Sequence, residues 1–248
     1  MEFARVSALR GHKVTIWEKR GRTLGLSLYA ATPPRRYDIR YLGQWLEREC
    51  RVEIVLNKAA TAEDILAAAK DFDRVVIAAG SKAVMPPIPT EEGADIVHAW
   101  DVFEGKARLG KSVVVVGGGD VGCEVAEKLG SEGHEVTLLE MLDVLAPGYM
   151  FGNRCVLLHG LHRYNITQHL GTKCHAIEED KVIAADKIGF RFDIPCDNVV
   201  ICTGDPADNE LYKSLVGMVP EVYNIGDSDT PSNLAKNHAA AYALARSI

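Results

Sequence analysis

Val113-Val-Val-Val-Gly-Gly-Gly-Asp-Val-Gly-Cys-Glu124 is a β-branched run that breaks into a glycine turn. Four consecutive valines predict a strand buried on both faces. The turn sets Gly117, Gly119 and Gly122 at G-x-G-x-x-G spacing. A helical pattern over 121–132 follows, closed by Gly133. A second strand, Val136-Thr-Leu-Leu139, ends on Glu140. Strand, glycine turn, helix and strand in that order read as a βαβ unit.

Each glycine of the spacing has a physical reason. The first permits the tight turn, the second lets the backbone approach a pyrophosphate, and the third lets the helix pack close to the strand. Gly118, Asp120 and Val121 complete the loop, where backbone N–H groups and the positive end of the helix dipole matter more than side chains. Glu140 stands 18 residues beyond Gly122, where a carboxylate accepts from a ribose 2′-hydroxyl. A carboxylate there repels a 2′-phosphate, and residues 141–144, Met-Leu-Asp-Val, supply no arginine. The expected ligand is therefore NADH rather than NADPH. A glycine turn in an unrelated α/β protein is the bland alternative, against which the full order of elements counts.

The chain echoes itself twice. Gly11-His-Lys-Val-Thr-Ile-Trp-Glu18 matches Gly133-His-Glu-Val-Thr-Leu-Leu-Glu140 with five identities. Val75-Val-Ile-Ala-Ala-Gly80 matches Val199-Val-Ile-Cys-Thr-Gly204. Duplicated nucleotide-binding units explain both. No glycine loop precedes the first copy. The fold class expected is α/β: two Rossmann-like units, the first incomplete at its N-terminus. Residues 1–105 and 205–248 would form an FAD-type domain, and 106–204 an NADH-binding domain. In the first unit Glu18 suits the adenosine ribose of FAD, with Lys19, Arg22 and Gly25 following it; a surface glutamate after a strand is the plain alternative. Gly80 and Gly204 end the echoed strands. Gly226 and Asp227 follow an apolar stretch and suit the flavin side, where Asp can accept from a ribityl hydroxyl; an ordinary Gly-Asp turn is the other reading.

Further elements are legible around these. Residues 4–10 read as a helix end closed by Gly11, and 14–17 as a strand. Residues 20–36 read as loop, 37–51 as a helix, 52–56 as a strand, and Thr61 with Asp64 as a capping-box start. Met85-Pro-Pro-Ile-Pro89 is the best linker candidate. Helices are expected over 154–164 and 235–247, and short strands near 182–185 and 190–194.

Composition narrows the classes. At 248 residues, 47% hydrophobic and 25% charged, the chain is an ordinary globular protein with room for two units. A net charge of −6 offers nothing to recruit nucleic acid. No apolar run approaches the ~20 residues of a membrane span, and Met1–Arg10 lacks a secretory core, so a cytoplasmic location is expected. The cysteines (50, 123, 155, 174, 196 and 202) show neither C-x-x-C nor C-x4-C spacing. They read as structural thiols in a reducing compartment. His159, His162 and His169 cluster loosely without metal-ligand spacing. No general base or nucleophile stands out, so no catalytic side chain and no metal ligand is assigned.

Several stretches together carry a family resemblance: 4–19, Ala30-Ala-Thr-Pro-Pro34, Val97-His-Ala-Trp-Asp-Val102, 113–142, Asn209-Glu-Leu-Tyr212 and Pro220-Glu-Val-Tyr-Asn-Ile-Gly-Asp227. From about Phe3 to Ile248 the chain resembles the C-terminal FAD/NAD-binding portion of old-yellow-enzyme-type NADH:flavin oxidoreductases, such as 2,4-dienoyl-CoA reductase, 2-enoate reductase and trimethylamine dehydrogenase. The resemblance implies an oxidoreductase module in which NADH reduces a flavin. It also implies a partner, a barrel domain or subunit carrying FMN and an iron–sulfur cluster, whose residues are not in this sequence. Departures fall on the FAD side. The family's Gly-x-Gly-Pro-Ala-Gly before the position of Glu2 has no counterpart. Arg22-Thr-Leu-Gly-Leu-Ser27 stands for the usual Arg-Leu-Gly-Gly-Gln-Leu. Three readings stay open: an NADH-dependent flavin oxidoreductase module, a non-catalytic adenine-nucleotide-binding module, and a truncated fragment of a larger reductase.

Overall fold

A computed structural model describes the backbone of residues 1–248 and every side chain except that of Leu26. The chain divides into two compact units. Unit 1 comprises Met1–Ala31, Asp38–Lys82 and Asp205–Ile248; unit 2 comprises Thr32–Tyr37 and Ala83–Gly204.

In chain order, unit 1 contributes α1 (Glu2–Leu9), β1 (Thr15–Glu18), a 3-10 turn over Gly25–Ala31, α2 (Tyr37–Glu49), β2 (Glu53–Leu56), α3 (Ala62–Ala68) and β3 (Val75–Ile77). Unit 2 follows with β4 (Ile96–His98), α4 (Ala99–Glu104), β5 (Ser112–Val116), α5 (Asp120–Ser131), β6 (Glu135–Leu139), α6 (Phe151–Arg163) and β7 (Thr167–His169). It ends with β8 (Lys173–Ile177), β9 (Lys181–Ala185), β10 (Arg191–Pro195) and β11 (Asn198–Ile201). The chain returns to unit 1 for α7 (Glu210–Leu215), β12 (Val222–Asn224) and α8 (Leu234–Ser247).

Unit 2 is built on a five-stranded sheet of order β4-β11-β5-β6-β7, parallel throughout. β5 is its middle strand. Val113 to Val116 and all of β11 are buried, as a parallel sheet covered on both faces requires. Alternation divides the valines between the two faces. Val114 and Val116 enter a cluster with Val182, Ala184 and Ile194 of the antiparallel sheet β10-β9-β8. α5 packs on β5 and β6 and against α6. Full burial of a valine side chain stabilises by about 1.5–3 kcal/mol, so this stretch contributes heavily to the unit.

Both helix ends preceding the echoed strands close the same way. Gly11 and Gly133 take the left-handed conformation at φ 93° and 97°. His12 N donates to Ser7 O and His134 N to Leu129 O, each at 3.1 Å. These are the reverse bonds of a Schellman closure. The capping box at Thr61 and Asp64 forms as read from sequence.

Unit 1 has four parallel strands in two separate pairs, β1-β2 and β12-β3. The expected division at 105/106 falls inside unit 2: the compact units part at Lys82/Ala83. The reason is β4, which pairs with β11 through Val199↔Ile96, Val200↔Val97 and Ile201↔His98. β4, α4, β7, β8 and α7 are additional to the elements read from sequence. The 20–36 loop contains the 3-10 turn at Gly25–Ala31.

The packing of the turn makes a stability contrast testable. A Cβ on Gly122 would stand 1.8 Å from Gly117 O, while one on Gly119 meets nothing within 4 Å. Gly122→Ala should lose about 3 kcal/mol or more through forced displacement of α5. Gly119→Ala, an N-cap change without a clash, should lose only about 0.5–1 kcal/mol. Urea unfolding followed by circular dichroism checks both, and equal losses would contradict this packing.

Candidate nucleotide site

The site in unit 2 lies where the buried strand stops. Parallel strands leave their carboxyl ends, and the helix N-terminus that follows β5, on one side of the sheet. Gly117 turns the chain at φ 106°. A Cβ there would stand 2.5 Å from Cys202 O, at the end of the neighbouring β11. Gly122 needs its hydrogen for the approach of α5 to Gly117. Gly119 is the N-cap of α5, and no protein side chain caps it. The open space beside it is where a ligand can approach the backbone. Val121 is half-buried in the first turn.

Glu140 is buried, and both carboxylate oxygens accept backbone N–H groups. Gly118 N donates to Oε2 at 2.6 Å and Leu142 N to Oε1 at 2.7 Å. The acid therefore ties the end of β6 to the glycine turn. Gly118, given no separate role by spacing, is needed here. A Cβ on it would meet Leu145 Cδ2 at 2.4 Å and Glu140 Cβ at 2.8 Å. Its carbonyl accepts from Ala146 N at 2.8 Å. Asp120 turns its carboxylate to Gly148 N at 3.0 Å, and burial raises its pKa.

The sequence reading missed a polar group alongside. Arg35 pairs with Glu127, Arg36 pairs with Glu124, and Tyr149 OH donates to Glu124 as well. The Arg36 guanidinium lies 4.8 Å from the Tyr149 ring centroid. The available signal was two glutamates three apart in an apolar helix, with adjacent arginines in a Pro-rich loop. Burial pushes the Glu124 carboxyl up to about 7, against the pull of Arg36, with Asp120 and Glu127 adding like charge. Burial also raises Glu127, against Arg35.

The remaining candidate residues also lie past strand ends. Gly204 follows β11 at φ 92°, and Gly80 follows β3 at φ 89°. In unit 1, Glu18 ends β1 and its Oε1 accepts from Arg20 N at 2.8 Å. Lys19 is exposed. Arg22 donates to Tyr29 OH at 2.6 Å, beside Arg20 at 2.7 Å. Gly25 opens the 3-10 turn at φ 48°. Gly226 follows β12 at φ 70°. Asp227 Oδ1 accepts from Ser232 N at 2.9 Å and Asn237 Nδ2 at 2.7 Å. Thus Gly117 to Gly122 and Glu140 form one connected turn, whereas the unit 1 residues lie at the end of β1 and in the loops that follow β1, β3 and β12.

The cysteines divide by burial. Cys123 is fully buried on α5, and burial pushes its thiol up to about 12. Burial likewise raises Cys174 and Cys196, each to about 11. Cys155 is exposed on α6 and departs from the expectation that every cysteine packs in the structure. Among the described residues no His, Cys, Asp and Glu group is arranged to hold a metal ion. No described helix is long and apolar enough to cross a membrane.

Glu124 gives a pH test. Its ordinary value is 4.5 and its folded value about 7. Between these the folded chain holds a proton that the unfolded chain has released. Stability through this group is therefore complete below pH 4.5 and is lost as pH rises to about 7. Glu124→Gln should remove about 3 kcal/mol of that pH dependence. Urea unfolding at pH 4.5, 6 and 8 measures it; parallel curves for variant and parent would contradict the assignment.

Known proteins agree with this architecture. The family profile described as pyridine nucleotide-disulphide oxidoreductase matches residues 1–239. A metal reductase of Desulforamulus reducens is 34% identical, with 98% of this chain and 41% of that protein covered. A cinnamate reductase of Clostridium sporogenes is 35% identical, with 100% of this chain and 37% of that protein covered. A solved 2-naphthoyl-CoA reductase complex superposes with a TM-score of 0.91 at 31% identity, covering 100% of this chain and 38% of the other. The chain thus spans roughly two fifths of the length of these relatives. The enoate-reductase-type resemblance read from the sequence holds, and the α/β, Rossmann-like fold class with it. The chain belongs to the pyridine nucleotide-disulphide oxidoreductase family.

Proposed function

We propose that this chain is an NADH-dependent flavin oxidoreductase module that passes hydride or electrons from NADH to FAD. The observation that carries the reading is the turn from Gly117 to Gly122, locked to the buried Glu140 through Gly118 N at 2.6 Å. The uncapped N-terminus of α5 and the open side of Gly119 fit a dinucleotide pyrophosphate. Glu140 suits the adenosine ribose and disfavours a 2′-phosphate. Gly204 lies beyond the end of the adjacent strand. In this reading unit 2 is the NADH-binding domain.

Unit 1 is the FAD-type domain in the same reading. Glu18, Lys19, Arg22, Gly25, Gly80, Gly226 and Asp227 would hold the flavin nucleotide. The fit is partial, because among the described residues of unit 1 no glycine turn faces Glu18 as Gly118 faces Glu140. The nicotinamide supplies a hydride and the flavin accepts it as a two-electron carrier. The protein's part is to bind and orient. Glu140 holds the turn rigid, and α5 presents backbone N–H groups to negative charge. The chain spans about two fifths of the longer reductases it matches, which supports a further domain or subunit as partner; by the family resemblance that partner would be a barrel with FMN and an iron–sulfur cluster. The six free cysteines support a cytoplasmic location.

The incomplete first unit favours a second reading, a non-catalytic adenine-nucleotide-binding module. The visible spectrum of the purified protein, followed by anaerobic addition of NADH, separates the two. A flavin band that bleaches with NADH supports the reductase module. A protein that stays colourless after soaking in FAD contradicts it and leaves nucleotide binding by unit 2 alone.

A further inference from the structure

The loop after Glu140 contains no arginine, but the fold delivers a lysine to it. Lys187 sits in the turn between β9 and β10, 44 residues beyond Asp143, and its Nζ pairs with Asp143 Oδ2. Three contacts tie this pair to the acid. Leu142 N donates to Glu140 Oε1 at 2.7 Å. Gly171 N donates to Leu142 O at 3.0 Å. The lysine stem then crosses Gly171, where a Cβ would stand 2.6 Å from Lys187 Cε and 3.2 Å from Asp143 Oδ1. The glycine leaves room for the pair.

The turn that presents the lysine is fixed by its own bonds. Asp186 Oδ1 accepts from Ile188 N at 3.0 Å and from Phe190 N at 2.9 Å. Asp186 N donates to Phe190 O at 3.0 Å, and Lys181 of β9 pairs with Asp193 of β10 at 2.7 Å. The Lys187 and Asp143 side chains are 56% and 72% exposed. An ion pair so exposed adds little to stability. Its consequence is for the charge beside Glu140.

The proposed function places an adenosine ribose at Glu140, and the present inference rests on that reading. A 2′-phosphate on the ribose would bring about −1.5 to −2 charge at neutral pH. Glu140 and Asp143 are negative and Lys187 is positive, so the loop presents one net negative charge. Without Asp143, Lys187 would balance Glu140, and its flexible stem would let the ammonium donate to phosphate oxygens. With Asp143 in place, a phosphate that captured Lys187 would leave the Asp143 carboxylate beside it without a counter-charge.

We propose that Asp143 is a second selectivity residue of this site, acting through Lys187. The ion pair withholds the ammonium from a 2′-phosphate, so discrimination against NADPH does not rest on Glu140 alone. Asp143 is a positioning residue in this arrangement: it sets what Lys187 can reach.

Dissociation constants of ADP and 2′,5′-ADP, measured by isothermal titration calorimetry on the full chain, read the discrimination without nicotinamide, flavin or turnover. The ratio of the 2′,5′-ADP constant to the ADP constant should fall about tenfold in Asp143→Asn, as loss of a unit charge near a phosphate predicts. Lys187→Gln in that background should restore the parent ratio. In the parent background Lys187→Gln should raise the ratio by only about threefold or less, because there the ammonium is already engaged. Both side chains are exposed, so the variants should keep the parent's thermal midpoint. Equal effects of Lys187→Gln in the two backgrounds would overturn the proposal, as would an unchanged ratio in Asp143→Asn. A parent chain that binds neither ADP nor NADH would remove the nucleotide site and this inference with it. A parent that binds both, with the ratio unmoved by Asp143→Asn, would overturn this inference and leave the proposed function standing.

Discussion

Hydrogen bonding of a parallel strand on both edges, with both faces buried, is the constraint on which this structure depends. Unit 2 meets it at β5, bonded to β11 on one side and β6 on the other. Once that strand is fixed, the chain must leave it without a clash against β11, and only Gly117 allows the turn. The helix must then return over the strand, and only Gly122 allows that approach. The candidate ligand site is thus a by-product of sheet packing. The backbone N–H groups available to a phosphate there would be those that a helix beginning at a strand end leaves without partners.

Glu140 belongs to the same constraint. A buried carboxylate is costly unless its oxygens are satisfied, and here two backbone N–H groups satisfy them. The residue serves as a strut before any ligand arrives. A ribose hydroxyl would join an acceptor that is already held in place, which lowers the ordering cost of binding. The Arg35–Glu127 and Arg36–Glu124 pairs extend the polar framework along α5. With Glu124 raised toward 7, that side of the helix titrates near neutral pH.

What was legible in the sequence follows from how local each signal is. The glycine spacing, the valine run and the Gly11/Gly133 echo are local and periodic, and they fixed the α/β architecture and the turn. β4 and β7 were not legible, because three residues such as Thr167-Gln-His169 carry no period and depend on a neighbouring strand. The compact units part at Lys82/Ala83 rather than at 105/106 for the same reason: β4 packs with unit 2 through its pairing with β11 and through Ile96 on the unit 2 core. The arginine pairs were hidden because Arg35 and Arg36 lie far in sequence from the helix they meet. Gly118 was passed over because its constraint comes from Leu145 and Glu140 rather than from its own conformation. In unit 1, Glu18 could be placed by the echo, while the half-buried state of its strands emerged only from the sheet topology.

Amide hydrogen exchange of the whole chain, with and without saturating NADH, tests the central claim most directly. The account predicts slowing concentrated at residues 117–122 and 140–142, where the turn and its carboxylate strut meet the ligand. No slowing in those two segments, or slowing confined to unit 1, would contradict it.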